Sequence, residues 1–178
     1  MRLFIAIRFD ENMLRALKNT EQRLKDKGLK GRYQSEENLH LTLAFIGEYA
    51  DPEEVLEVME EVPGEAFSLR LEGYGNFRDV VWAGFSKCDE LHRYVKRLRH
   101  ALSEAGIPFD QKSFFPHVTL VRKAELSDGH VLPGIMVPMT TMKAEHISLM
   151  RSDRGKNGMH YTEIGTVHTA TSVTDSEK

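Results

Sequence analysis

Apolar and polar positions alternate through RLFIAIRF (2–9), with Leu3, Ile5, Ile7 and Phe9 on one side, which predicts a strand with one buried face. Asp10 then stands as a helix N-cap. Leu14, Leu17 and Leu24 recur at helical spacing to Lys27, and Gly28 stands where the helix stops. GRYQSEEN reads as a polar connection into a second strand, LHLTLAFIG. A short helix from about Pro52 to Val62 follows, with Val55, Val58, Met59 and Val62 on one stripe. AFSLRLEGYGNF and VVWAGFS predict two strands. A second long helix begins near Asp89, buries Leu91, Tyr94, Val95, Leu98, Ala101, Leu102 and Ala105, and stops at Gly106. HVTLVRK predicts another strand, and residues 124–141, with Pro133 and Pro138, a loop. KAEHISLMRS and MHYTEIGTV close the chain as two strands around the turn-rich DRGKNG.

One sentence of this grammar occurs twice: strand, aspartate, amphipathic helix, glycine, loop, H-x-T-L. The first copy runs from Arg2 through Asp10 and Gly28 to His40, the second from Val80 through Asp89 and Gly106 to His117. Glycine to histidine is 12 residues in one copy and 11 in the other; aspartate to histidine is 30 and 28. Two similar lobes, each offering one strand, account for this most economically. We therefore expect one bilobal domain over residues 1–170, with the phrases near 38–47 and 115–123 as its internal duplication, and a frayed polar tail over 171–178.

In a strand, residues i and i+2 share a face. His40 and Thr42 therefore point together, with Leu41 and Leu43 behind them; His117 and Thr119 do the same, with Val118 and Leu120 behind. If the polar faces oppose one another, two imidazoles and two hydroxyls line one cleft. That set suits proton transfer, because one ring can be neutral while the other is charged. The threonines can hold phosphate oxygens, and Arg122 can neutralise their charge. Three residues beyond Thr119, a flat strand turns Arg122 to the opposite face, so its use requires its length or a bulge. Neither motif offers a second His, Cys, Asp or Glu at a ligand offset, so no metal is expected. The other six histidines (His92, His100, His130, His146, His160 and His168) have no partner pattern and read as surface residues. Phe114 and Phe115 read as core, with base stacking by one of them the alternative.

Composition narrows the partners. With 24 basic and 27 acidic residues the net charge is −3, which argues against a long phosphate-gripping groove and for contact at one end of a nucleic acid. A single cysteine, Cys88, leaves no internal disulfide and no cysteine-based metal site. No apolar stretch is long enough to span a bilayer, and the N-terminal one is too short for a signal peptide core. The expectation is a cytoplasmic monomer without a membrane or protein partner.

The phrases RLFIAI, ENLHLTLAFIGE, VVWAGF, FFPHVTLVR and ISLMRSD, which span residues 2 to about 165 in this order, resemble the 2H phosphoesterases. Within them the chain looks like the LigT-like RNA 2′,3′-cyclic phosphodiesterases, also called 2′-5′ RNA ligases. The resemblance implies an α+β bilobal fold, with two antiparallel sheets and helices about a pseudo-two-fold and an active-site cleft between them. It implies hydrolysis of 2′,3′-cyclic phosphate ends of RNA or nucleotides to 2′-phosphomonoesters, with weak reversible 2′-5′ ligation and no cofactor. It assigns His40 as proton donor and His117 as proton acceptor, and Thr42, Thr119 and Arg122 as phosphate-binding residues. The family often has tryptophan before the first motif, where this chain has Tyr33. Two other readings share these residues: a phosphoesterase for another small cyclic phosphate, and a non-catalytic RNA-end binding module.

Overall fold

The computed structural model describes residues 1–127 and 131–169; His130 and the tail expected over 171–178 lie outside the described residues. Strand β1 (Arg2–Arg8) leads into helix α1 (Glu11–Asp26), and a short β2 (Arg32–Tyr33) and a 3₁₀ turn (Glu36–Asn38) precede β3 (His40–Glu48). Then come α2 (Pro52–Glu61), β4 (Phe67–Phe77), β5 (Val80–Phe85), α3 (Asp89–Glu104), β6 (His117–Arg122), β7 (Thr141–Ala144), β8 (His146–Gly155) and β9 (Gly158–His168). All strand pairs are antiparallel, in a four-stranded sheet of order β3-β1-β8-β9 and a five-stranded sheet of order β2-β6-β5-β4-β7. Each sheet holds one H-x-T strand, β3 in the first and β6 in the second.

The predicted helices form for the expected local reasons. The Asp10 carboxylate accepts from the Met13 amide at 2.8 Å, a cap of about 1 kcal/mol, and Gly28 takes the left-handed conformation (φ 90°) that ends α1. The second aspartate of the repeat behaves differently. Asp89 is the first residue inside α3, where its charge favours the helix N-terminus, and Cys88 before it makes no capping bond.

The helices cross between the halves. Helix α1 packs on β6 and β7 of the five-stranded sheet, whereas α3 packs on β3 and α2 on β9 of the four-stranded sheet. Leu17, Leu24, Leu91 and Leu98 are all fully buried and join one continuous core with both sheets. Each such leucine contributes about 1.5–3 kcal/mol. Neither half buries its apolar face without the helix of the other.

Two strand expectations need correction. KAEHISLMRS is two strands: β7 pairs with β4 in one sheet, Glu145 interrupts, and β8 pairs with β1 in the other. The apolar alternation does break there, with Ala144 and Ile147 three residues apart, but such a step alone does not separate a change of sheet from a bulge. The connection GRYQSEEN contains β2, whose two residues are too few for a period to show. Among the described residues, no helix is long and apolar enough to cross a membrane.

Candidate active site

The two H-x-T strands carry the same irregularity. Ile5 pairs with Ala44 and Ala6 with Thr42, so Leu43 is an extra residue on β3. Val81 pairs with Val121 and Trp82 with Thr119, so Leu120 is an extra residue on β6. Both are the fourth residue of H-x-T-L. A bulge resets the alternation beyond it. On β6 the burial pattern therefore reads half-buried His117, buried Val118, half-buried Thr119, buried Leu120 and Val121, exposed Arg122. The bulge returns Arg122 to the side of His117 and Thr119, which a flat strand would not. On β3 the same step returns Phe45 to the side of His40 and Thr42.

The carbonyls freed by the bulges are both satisfied. The Arg99 guanidinium, reaching from α3, donates to the Leu43 carbonyl at 3.2 and 3.0 Å, and also to the Lys112 carbonyl at 2.7 Å. The Gln34 amide donates to the Leu120 carbonyl at 2.8 Å. The bulges are thereby built into the packing of their neighbours.

Both imidazoles use the backbone two residues upstream. His117 Nδ1 lies 2.7 Å from the Phe115 carbonyl; a carbonyl only accepts, so Nδ1 carries the proton and Nε2 is left to receive one. A backbone hydrogen bond with Asn38 acts on His40 as well. Its ring lies 4.8 Å from Phe4 and edge-on to Tyr161 at 5.0 Å. Burial lowers the His40 pKa from 6.5 to about 4; the Asn38 hydrogen bond opposes this, while the charges of Arg122 and His117 add to it. Those charge effects place Arg122 and His117 within electrostatic reach of His40, and β3 and β6 lie against one another. The five residues expected at the site thus fall on two contacting strands, each with its half-buried polar residues on one side. The Thr42 and Thr119 side chains are half-buried.

Two neighbours, Phe77 and Trp82, were not singled out as site residues by the sequence. Phe77, Trp82 and Phe115 surround His117 with ring centroids at 5.5, 6.3 and 5.7 Å. Phe115, expected in the core, is 46% exposed, and Phe77 is 50% exposed; Phe114 is the half-buried one that packs on the core. The Trp82 indole lies against Gly75 and Gly84, where a Cβ would come within 2.6 and 3.2 Å of the ring, so those glycines make room for it. Arg8, cross-strand from His40, is engaged elsewhere: it pairs with Glu163 at 3.3 Å, and Glu163 also accepts from Ser148 at 2.6 Å and Thr166 at 2.7 Å. The Ser148 hydrogen bond leads the effects that hold the Glu163 pKa below the usual carboxylate range. His92, His100, His146, His160 and His168 are exposed and stand apart from the two motifs, as the sequence led us to expect.

Known proteins share much of this sequence and this fold. The family model of the 2′-5′ RNA ligase superfamily matches residues 13–156. The RNA 2′,3′-cyclic phosphodiesterase of Thermotoga maritima is 34% identical over 132 residues, covering 68% of this chain and 70% of that protein. That of Methanocaldococcus jannaschii is 28% identical over 175 residues, covering 92% of this chain and 98% of that protein. Among solved structures, apo LigT of E. coli superposes with a TM-score of 0.77 at 25% identity, covering 94% of this chain and 96% of that one. With the family model matched over residues 13–156 and a 34% identical relative covering 68% of the chain, this chain belongs to the 2′-5′ RNA ligase superfamily.

Proposed function

We propose that this protein hydrolyses 2′,3′-cyclic phosphate ends of RNA to 2′-phosphomonoesters, with His40 and His117 as its acid–base pair. The observation that carries the reading is that His40 and Thr42 share one side of β3, His117 and Thr119 share one side of β6, and the bulge at Leu120 brings Arg122 back to that side, on two strands in contact. Relatives over most of the chain bear the name RNA 2′,3′-cyclic phosphodiesterase, which supports the same chemistry.

Water attacks phosphorus in line with the bond to O3′. His117 takes the water proton on Nε2, the nitrogen its Phe115 hydrogen bond leaves available. His40 delivers a proton to O3′, and O2′ keeps the phosphate. Thr42, Thr119 and Arg122 hold the non-bridging oxygens as their charge grows. A donor must be charged, and His40 is easily discharged when the cleft holds no substrate. The cyclic phosphate supplies what is missing. Its negative charge beside His40 offsets Arg122 and His117 and raises the imidazole pKa on binding. The reacting proton then belongs to the pair rather than to either ring. Run backwards, the same groups join a cyclic phosphate end to a 5′-hydroxyl and give a 2′-5′ link without a nucleotide cofactor.

Incubation with a 2′,3′-cyclic nucleotide tests the reading. The expected product is the 2′-monophosphate alone. The 3′-monophosphate, or no turnover at all, would contradict it.

A further inference from the structure

A cavity of about 390 Å³ opens beside His40, within the range of small-ligand sites. Its walls come from both sheets: Arg32 and Arg122 from β2 and β6, Arg154 and Tyr161 from β8 and β9, with Asn38 between. We propose that this cavity is the subsite for the internucleotide phosphate that precedes the cyclic end of an RNA chain. The proposal rests on the reaction proposed above and deepens it.

Charge is the first argument. Three guanidiniums line the cavity, and no carboxylate does. None of the three forms an ion pair among the described residues. Arg32 and Arg122 are direct cross-strand partners, an arrangement of like charges that destabilises a sheet. In a chain of net charge −3 this concentration is local, and an anion resolves it. Guanidinium is the group that grips phosphate oxygens in pairs.

Position is the second. Tyr161 forms part of the cavity wall and also stands edge-on to the His40 ring, so the cavity begins where the wall of the catalytic imidazole ends. Asn38, the backbone partner of His40, lines it too, and its side chain donates to the Met159 carbonyl at 3.2 Å, tying the two walls together. Arg122 belongs to both places: its charge is felt at His40 and its side chain borders the cavity. A phosphate gripped by Arg32 and Arg154 is therefore the next one along from the phosphate that reacts. A mononucleotide ends before reaching it, whereas an RNA chain continues through its 5′ oxygen and carries one negative charge per link.

The test compares kcat/KM for a 2′,3′-cyclic mononucleotide, a dinucleotide ending in a 2′,3′-cyclic phosphate, and the same dinucleotide with a neutral methylphosphonate link. The dinucleotide should be about 10- to 100-fold better than the mononucleotide, the size of one or two charge-assisted contacts. The methylphosphonate should lose that advantage. Arg154→Gln and Arg32→Gln should each remove most of it, change mononucleotide turnover less than about twofold, and leave the methylphosphonate unaffected. Each should also flatten the salt dependence for the dinucleotide by about 0.7 in log–log slope. Equal rates for mononucleotide and dinucleotide, or an advantage that survives in the double variant, would overturn the subsite. A small cyclic phosphate carrying a diphosphate that outperforms the dinucleotide by more than about tenfold would overturn its assignment to RNA. Binding of the dinucleotide 2′-phosphate in the same variants reads the subsite without turnover, so a failure of the reaction and a failure of the subsite remain distinct.

Discussion

Leu43 and Leu120 hold the same place in two copies of one phrase, and each is the extra residue of a bulge. Their carbonyls are satisfied differently, by the Arg99 guanidinium in the first copy and by the Gln34 amide in the second. Arg99 therefore holds the local shape of β3 just past His40 and Thr42, from a helix on the far side of the sheet.

Arg99→Ala should leave the carbonyls of Leu43 and Lys112 short of a donor. We expect a loss of about 1–3 kcal/mol in unfolding free energy. Urea denaturation measures it, and Arg99→Lys should recover only part, because a single ammonium cannot reproduce the fork. An unchanged midpoint for Arg99→Ala would show that the bulge holds without it.

Arg122 shares the side of His117 and Thr119 because Leu120 is bulged, and the proposed mechanism uses it to hold phosphate. Arg122→Ala should raise KM and lower kcat, with kcat/KM down about 10- to 10³-fold. Arg122→Lys should restore part of the loss, keeping the charge without the planar geometry. Steady-state kinetics on a cyclic nucleotide checks both, and an unaltered kcat/KM would remove Arg122 from the site.

Much of this arrangement was legible in the sequence. The alternation in RLFIAIRF, the heptad-like stripes of the helices and the doubled H-x-T-L each report a local regularity, and local regularities survive folding. That Arg122 would need its length or a bulge to come round was visible as a conflict between period 2 and a three-residue step. What stayed hidden depends on distant partners. The break at Glu145 sends one short stretch of chain into two sheets. The exchange of α1 and α3 between halves leaves no trace in their own stripes. Tyr161 reaches His40 from a strand more than a hundred residues away. Phe115 stands exposed because it precedes Pro116 outside the strand, where an apolar side chain no longer implies a buried face.

The depressed His40 pKa makes folding depend on pH. Between about 4 and 6.5 the unfolded chain holds a proton on this residue that the folded protein refuses. Stability from this residue is therefore full above 6.5 and is lost as the pH falls toward 4. The effect should be about 1–3 kcal/mol. Unfolding free energies across that window should rise with pH less steeply in His40→Gln than in the unsubstituted protein. Parallel curves would show that His40 titrates normally in the fold.

In the proposed mechanism the same residue sets a limb of the rate profile. The dependence of kcat/KM on pH reports free enzyme, and that of kcat reports the complex. In His117→Ala the acid limb should vanish. The remaining basic limb belongs to His40 and should lie at higher pH in kcat than in kcat/KM, because bound phosphate raises the His40 pKa. In His40→Ala the basic limb should vanish instead. The opposite assignment of limbs would show that donor and acceptor are exchanged.

The central claim is that His40 and His117 act as one unit across the cleft, and single and double substitutions measure it most directly. His40→Ala and His117→Ala should each lower kcat for a 2′,3′-cyclic nucleotide by roughly 10²-fold or more, with circular dichroism and unfolding cooperativity retained. The double variant should be little worse than either alone, because removing one member already disables the pair. Near-normal turnover in either single variant, or losses that multiply in the double, would contradict the account.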